Sequence, residues 1–361
     1  MDVLFFDSKE YERLYNCSAY HIDQIPLNER QHLLIGAIFI ACSIIFEVLY
    51  IPCLIAIQKH MDSTCYKFMF YIAITDMMCL PMCGIITGYL AIIGAVFCTA
   101  PTFIYIAGAY GLALWITETT AEIFLAFNRC VELSSSWLAQ LLFHGKRIYL
   151  WLVFPTVYGM YVLTYTKPII FSSLHSTWFI NPHIGYINDG TIYRNDCQSV
   201  HDVIVVTVLP GIYLLLALIL YFKSRVIKDE TNQATSIQSQ KKIFIQVLLI
   251  SSVNAITSGI YVTMQFVPLS EFVLFVAQFF WILAHGIPPV IYLMLNKTVR
   301  RDVYILLVRH LAVVFPCITA PCCQSNCSTI NECGCVIDDR MTSKFPVLTA
   351  QKYLSKTWHE D

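Results

Sequence analysis

Charged residues are scarce in this 361-residue chain, where Asp, Glu, Lys and Arg together make up 13%, about half the usual share in a soluble protein. Hydrophobic residues make up 57%, and the mean hydropathy is +0.62. This composition excludes a soluble enzyme, a disordered tail protein and a small secreted disulfide scaffold. It predicts an all-α multi-pass membrane protein, because an outer-membrane barrel alternates apolar with polar residues and is less hydrophobic on average. The net charge of −1 gives no reason to expect a nucleic-acid partner.

Sequence motifs of catalysis are also missing. The chain has no H-E-x-x-H, no G-x-S-x-G, no phosphate-binding loop and no dinucleotide fingerprint. An intramembrane metal hydrolase needs several His or Asp ligands within the membrane, and His285 is the one histidine in a predicted span. We therefore predict neither an enzyme nor a cofactor or metal site. The 15 cysteines lie mostly in apolar runs or in one tail cluster, which is not typical of a disulfide framework.

Seven apolar segments are long enough to cross a membrane, which takes about 20 residues in a helix. They predict a seven-helix domain over residues 33–298, preceded by an extracellular tail over residues 1–32. The predicted spans are residues 33–57, 67–93, 101–127, 148–170, 202–222, 243–267 and 272–295.

The distribution of Lys and Arg predicts the orientation of the spans. Basic residues are concentrated in cytoplasmic loops of membrane proteins. With the N-terminus outside and the C-terminus inside, 18 of the 23 Lys and Arg residues fall on the inner side. The five on the outer side are Lys9, Arg13, Arg30, Lys167 and Arg194.

The segment after the last span predicts an interfacial helix and a tail. Residues 299–315 mix basic with apolar residues and are too short to cross, which is typical of an amphipathic helix lying at the inner membrane surface. Residues 316–361 form a cysteine-rich cytoplasmic tail. Its first cysteines are candidates for palmitoylation, namely Cys317, Cys322 and Cys323.

Four acidic residues lie inside the predicted spans: Glu47, Asp76, Glu118 and Glu122. Each costs about 2.5–3.5 kcal/mol at mid-membrane, so each is expected to face the bundle interior or water. For Glu47 and Glu122, plain hydrogen bonding between helices explains the acid as well as a function does. Asp76 and Glu118 predict a polar pocket that could hold a cation. Glu118 and Glu122 share one helical stripe with Arg129.

Three short motifs resemble those of rhodopsin-like G-protein-coupled receptors and stand on the corresponding spans. Ile72-Ala73-Ile74-Thr75-Asp76 resembles the second-helix L-A-x-x-D. Asn128-Arg129-Cys130 stands at the position of D-R-Y, with Asn128 in place of the acid. Pro288-Pro289-Val290-Ile291-Tyr292 resembles the seventh-helix N-P-x-x-Y. The sixth span lacks C-W-x-P, and its one proline is Pro268 at the outer end.

A closer resemblance is to the serpentine receptor class T family of nematode chemoreceptors, and it covers roughly residues 15–310. The segments that carry it are Tyr15-Asn16-Cys17-Ser18, Ile25-Pro26-Leu27, Gly88-Tyr89-Leu90-Ala91-Ile92-Ile93-Gly94, Phe127-Asn128-Arg129-Cys130, Gly145-Lys146-Arg147 and Asn181-Pro182-His183-Ile184-Gly185-Tyr186.

The resemblance implies a chemosensory receptor in the plasma membrane that binds a small molecule and signals through a heterotrimeric G protein. The residues themselves add a conformational switch at Asn128 and Arg129 on span three, because Arg129 shares its stripe with a buried acid and Pro289 loosens span seven. The residues that support this switch are Asp76, Glu118, Pro289 and Tyr292. The alternative is that Arg129 only anchors the inner end of its helix. Two alternatives stay open: a seven-span ligand-gated ion channel, whose N-in orientation the charge bias disfavours, and a structural membrane protein.

Two modifications follow from the predicted topology. We predict a disulfide between Cys98 and Cys197, which both lie on the oxidising outer side, as in rhodopsin-like receptors. Cys17 is the third outer cysteine and an alternative partner. Asn16-Cys17-Ser18 is an N-x-S sequon on the outer tail, so Asn16 is the predicted glycosylation site.

Overall fold

The computed structural model describes residues 1–18, 21–186, 191–226, 231–267 and 269–314. The palmitoylation candidates Cys317, Cys322 and Cys323, the tail 316–361 and Pro268 lie outside these residues. Met1–Val308 forms one unit, and the second unit, Arg309–Asp361, is described only as far as Val314.

Eight long helices follow one another along the described chain. Their bounds are α1 Leu33–Gln58, α2 Thr64–Ile92, α3 Pro101–Ser134, α4 Ile148–Tyr165, α5 Asp196–Val226, α6 Thr231–Met264, α7 Glu271–Leu295 and α8 Lys297–Val314. Shorter helices are Asp2–Phe6, Ser8–Tyr15, Leu27–Arg30 and Ser136–Phe143. Single 3-10 turns are Ile22–Gln24, Phe97–Thr99, Gly145–Arg147 and Thr191–Tyr193. A two-stranded antiparallel hairpin joins β1 Ile170–Ser172 to β2 Thr177–Phe179.

Six helices are long and apolar enough to cross a bilayer. The qualifying stretches are Leu27–Gln58, Thr64–Ile92, Gly145–Tyr165, Asp196–Lys223, Phe244–Met264 and Glu271–Leu295. Helix α3 has 34 residues, which is roughly 50 Å and more than enough to cross. Its middle carries buried Thr and Glu residues that lower its hydropathy. Since α3 packs against α2, α4 and α5 and is buried over most of its length, it needs no lipid-facing apolar surface. The chain is a multi-pass membrane protein.

Close helix contacts at glycine explain how α1 and α2 pack. A Cβ atom on Gly36 of α1 would collide with the carbonyl oxygen of Gly88 on α2. Gly84, one turn earlier on α2, lies against Ser43 of α1, whose hydroxyl donates to the Leu80 carbonyl at 2.8 Å. The small residues of the second span therefore serve packing within the chain, as small residues commonly do between membrane helices.

The fourth predicted span is too long at its C-terminal end. The prediction extended it to residue 170, but α4 ends at Tyr165 and the chain becomes extended at Thr166. The reason is Pro168, which disfavours helical geometry in the residue before it. The released chain forms the β1–β2 hairpin, in which Phe171 pairs with Trp178. Both of these side chains are buried, and the Trp178 indole donates to Thr87 of α2 at 2.9 Å.

Two ends of the bundle can be named by their residues. The hairpin end contains β1–β2, the helix Ser8–Tyr15 and the loop before α3, and its core includes Tyr15, Phe97 and Tyr105. The Arg129 end contains the C-terminal part of α3, the helix Ser136–Phe143 and the start of α8. Val299 and Val303 of α8 are buried in its apolar cluster, so this helix packs on the bundle through these valines.

Candidate functional site

A carboxylate in the middle of α2 joins three helices. The Oδ2 atom of Asp76 accepts from the Tyr50 hydroxyl of α1 at 2.5 Å, and Oδ1 lies 2.8 Å from His285 Nδ1 of α7. Asp76 and His285 are completely buried. Because buried charges are stable only when paired or hydrogen-bonded, these contacts fix α1, α2 and α7 relative to one another.

A second acidic pair lies on α3 and contacts α6. The amide of Asn254 donates to Glu118 at 3.1 Å and to Glu122 at 2.9 Å, and the Ser251 hydroxyl lies 3.3 Å from Glu122. Glu122 is therefore engaged in hydrogen bonding between helices. One Glu118 oxygen, Oε2, has no hydrogen-bond partner among the described residues, and the same is true of His285 Nε2.

These two groups of residues meet between α2, α3 and α7. Asp76, Glu118 and His285 each offer one ligand atom, and the three atoms lie within 4.8 Å of one another. Two carboxylates and an imidazole could hold a small cation there, and no Lys or Arg forms a salt bridge with any of these acids within the described part of the chain. Of the four acids picked out from the sequence, Glu47 is not part of the triad and is only half-buried, and its Oε1 has no hydrogen-bond partner among the described residues.

Arg129 is held by an acid that the sequence analysis overlooked. Its Nη1 lies 2.8 Å from Glu132 Oε2, one turn further along α3. Asn128 donates to the same carboxylate at 3.3 Å, and so does the Thr64 hydroxyl at the start of α2. Glu132 thus supplies the negative charge that the resemblance to D-R-Y assigned to the position of Asn128. The i, i+3 spacing of Arg129 and Glu132 was the available signal.

The two prolines of α7 lie within a helix that continues to Leu295. The carbonyl of Pro289 accepts from the Cys53 thiol of α1 at 3.9 Å. Tyr292 is 2% exposed and packs in the same apolar cluster as Ile72 of α2 and Leu125 of α3. Pro289 and Tyr292 are therefore part of the packing between α7 and its neighbours.

A cavity opens between α3, α5, α6 and α7 toward the hairpin end, and its empty space, with the open mouth included, is about 260 Å³. It is lined by Leu112, Trp115, Ile169, Gln198, Thr257, Tyr261 and Trp281. The indole nitrogen of Trp115 donates to Asp202 of α5 at 3.0 Å. The ring of Trp115 packs edge-on against His285, with ring centres 5.8 Å apart. Trp115 therefore contacts both the cavity and the histidine that binds Asp76.

Neither Asp202 nor this role of Trp115 was predicted from the sequence. The predicted fifth span began at residue 202, which put Asp202 at a solvated helix end. Helix α5 instead begins at Asp196, and Asp202 is fully buried one and a half turns inside it.

The predicted Cys98–Cys197 disulfide is wrong, because Cys98 pairs with Cys17. The Cα atoms of Cys17 and Cys98 are 5.6 Å apart. The reason is the docking of the N-terminal segment, which buries Tyr15 against Phe97, one residue before Cys98. Cys197 is a free thiol on α5, 3.6 Å from the Tyr158 hydroxyl of α4.

Asn16 is exposed beside this disulfide. Its side-chain oxygen accepts from the Ser18 amide at 2.8 Å, so the sequon forms a local turn. Glycosylation of Asn16 stays a prediction.

Two histidines of the hairpin end, His175 and His183, pack against aromatic rings. His183 packs edge-on against Phe97 and Tyr193, with ring centres 6.2 Å away in both cases. Burial lowers the pKa of His183, although a hydrogen bond to the Leu14 backbone opposes the shift. Burial likewise lowers the pKa of His175 in the hairpin turn.

Comparison with known proteins assigns the chain to a family. The sequence profile of the serpentine type 7TM GPCR chemoreceptor family Srt matches residues 2–313. The protein named Serpentine receptor class T-55 of Caenorhabditis elegans is 25% identical over 294 residues, which cover 80% of this chain and 78% of that protein. The resemblance to class T serpentine receptors is thus confirmed, and this is a family of receptors rather than enzymes. The chain belongs to the serpentine seven-transmembrane chemoreceptors of class T.

Proposed function

We propose that this protein is a chemosensory G-protein-coupled receptor of the plasma membrane, with its N-terminus outside the cell and its C-terminus inside. A small molecule binds in the cavity near the hairpin end. A heterotrimeric G protein binds at the Arg129 end when the helices rearrange. Membership of the serpentine chemoreceptor family supports the receptor class, and the bias of Lys and Arg supports the orientation.

The position of Trp115 is the observation that carries this proposal. Its side chain lines the cavity, donates to Asp202 and packs against His285. A ligand that moves the indole would disturb the contact between His285 and Asp76, which ties α7 to α2. Differential contacts of this kind are what a ligand needs in order to shift a conformational equilibrium.

Helix α3 offers a direct mechanical link from the cavity to the Arg129 end. Trp115 and Arg129 are 14 residues apart on the same helix, which corresponds to roughly 21 Å along its axis. Movement of α3 at Trp115 therefore changes the position of the Arg129–Glu132 pair relative to Thr64 on α2. Release of this pair would open the surface that we assign to the G protein.

The experiment expresses the full chain in reporter cells and screens small volatile and soluble metabolites for a G-protein-dependent second messenger. With an agonist in hand, Trp115→Phe keeps a ring against His285 but removes the bond to Asp202. We expect it to lower agonist potency at least tenfold at unchanged surface level. Trp137→Phe is the matched control, because Trp137 is 70% exposed on a short helix of the Arg129 end.

Two results would contradict the proposal. One is an agonist response that is equal in Trp115→Phe and wild type. The other is an agonist-evoked current that persists when G proteins are inactivated, which would favour the ion-channel alternative.

A further inference from the structure

The side chains around the cavity differ in whether their hydrogen-bond donors and acceptors are available to a ligand. Thr257 already donates to the carbonyls of Val253 and Phe280, at 2.8 and 3.2 Å. The Tyr261 hydroxyl lies 3.4 Å from the Gln278 side-chain oxygen. The hydroxyl groups of Thr257 and Tyr261 therefore already donate hydrogen bonds within the protein.

Two acceptor atoms near the cavity have no hydrogen-bond partner among the described residues: one belongs to Gln198, which lines the cavity, and the other to Asp202, which lies behind the lining residue Trp115. Gln198 lines the cavity and is 5% exposed, yet its Oε1 has no hydrogen-bond partner among the residues that the structure describes. Asp202, one turn further along α5, is completely buried. Its Oδ1 accepts from Trp115, and the Gln198 side chain lies beside the carboxylate. Within the described chain its Oδ2 has no partner.

Among the residues that the structure describes, no Lys or Arg forms a salt bridge with the carboxylate of Asp202. Three basic side chains of the hairpin end are engaged elsewhere: Arg30 with the Gly94 carbonyl, Lys167 with the Ile192 carbonyl, and Arg194 with Asp196. A buried carboxylate is costly unless a cation or several donors compensate it. A ligand with a positive charge and N–H donors would supply the cation and the hydrogen bonds that the carboxylate of Asp202 needs.

Aromatic rings complete the surroundings. Trp115, Tyr261 and Trp281 come from three helices and line the same cavity, and we call them the aromatic cage. The rings of Tyr261 and Trp281 are 6.2 Å apart at 77°. Rings of this kind attract organic cations through their negative faces. The indole nitrogen of Trp281 has no partner among the described residues and remains as one donor for a ligand acceptor.

We infer that the ligand of this cavity is a small protonated amine with an apolar body, held by the aromatic cage and by Gln198, while the carboxylate of Asp202 behind Trp115 compensates its positive charge. This inference rests on the proposed function for placing the ligand in this cavity. The empty space of about 260 Å³ counts the open mouth as well as the enclosed part of the cavity, so the amine is small. A carboxylic acid is excluded because it would lie near Asp202 with no Lys or Arg among the lining residues.

The experiment measures direct binding to the purified full chain in lipid nanodiscs at neutral pH, so that it requires no G protein. The probes are pairs of equal shape: isoamylamine with isoamyl alcohol, and 2-phenylethylamine with 2-phenylethanol. We expect each amine to bind at least tenfold more tightly than its alcohol. Asp202→Asn should abolish this preference and leave alcohol binding unchanged, since asparagine retains an acceptor for Trp115.

Two further variants keep the result interpretable. Asp196→Asn is the matched control, because Asp196 lies on the same helix with a side chain that is 81% exposed, and it should keep the wild-type preference. Gln198→Leu removes the open acceptor and should weaken amine binding alone. It serves as the test if Asp202→Asn does not fold.

Equal binding of amines and alcohols, absence of binding by either amine, or an undiminished preference in Asp202→Asn would overturn the inference. The outcomes separate it from the proposed function. Selective amine binding without any second messenger in cells supports the ligand class and contradicts the receptor mechanism. Signalling in response to neutral compounds alone supports the receptor mechanism and contradicts the ligand class.

Discussion

Replacement of Asp76 by asparagine tests whether the buried carboxylate holds the receptor in its described conformation. Asparagine has the same shape, so the helices should still pack. What changes is the strength of the two contacts with Tyr50 and His285. Hydrogen bonds to a charged group contribute about 1.5–3 kcal/mol, against about 0.5–1.5 kcal/mol for neutral ones. Two such contacts therefore lose about 2 kcal/mol in total.

This loss predicts a measurable change in the resting equilibrium. Since 1.4 kcal/mol is a factor of ten, the fraction of receptor outside the described conformation should rise roughly tenfold to thirtyfold. We take the described conformation as the resting one, so agonist-free signalling should rise by up to this factor. Tyr50→Phe removes one of the two contacts and should produce a smaller rise.

The assay measures surface level and second-messenger output on the same cells, without agonist and at saturation. Asp62→Asn is the control, since Asp62 is exposed in the turn between α1 and α2. Agonist-free output that stays at the wild-type level at equal surface expression would refute the reasoning. A parallel fall of surface level and output would show that Asp76 serves folding alone.

Four further predictions follow from the described contacts. Arg129→Ala should abolish G-protein signalling while ligand binding and surface level stay near wild type, and full signalling would defeat the proposed role. Non-reducing peptide mapping should recover Cys17 linked to Cys98, and a free Cys98 thiol would contradict the structure. Burial lowers the pKa of His183, so below about pH 6.5 the unfolded chain binds more protons than the folded chain. The thermal midpoint should therefore fall as the pH drops through that value, and it should fall less in His183→Gln. A glycosidase-sensitive mass shift should disappear in Asn16→Gln, and its persistence would place the glycan elsewhere.

Apolar runs allowed the helices to be located from the sequence, because each crossing needs a long uninterrupted stretch of apolar residues. Helix ends were less predictable, since they depend on local chemistry such as Pro168 after α4. The hairpin Ile170–Phe179 was hidden for another reason. Its strands have three residues each, and so short a pattern between polar residues is indistinguishable from a loop.

The candidate site was predictable only in part. Asp76 and Glu118 could be found because an acid within an apolar run is unusual. Their meeting with His285 depends on how α2, α3 and α7 pack, which the sequence of each helix does not state. Asp202 was missed because its burial follows from the earlier start of α5 and the bond from Trp115. The chemistry of the candidate site depends on contacts between helices, and such tertiary contacts cannot be predicted from the sequence of one helix.

The docking of the N-terminal segment imposes an order on biosynthesis. Cys17 and Cys98 are 81 residues apart, and at about 5–20 residues per second the ribosome needs roughly 4–16 s to make the intervening chain. During that interval α1 and α2 are synthesised, while Cys17 and the aromatic side chain of Tyr15 remain without their partners Cys98 and Phe97. A nascent receptor is thus exposed to wrong disulfides and to chaperone binding at this one segment, and cells that supply too little oxidoreductase should accumulate chains whose N-terminal segment is mispaired.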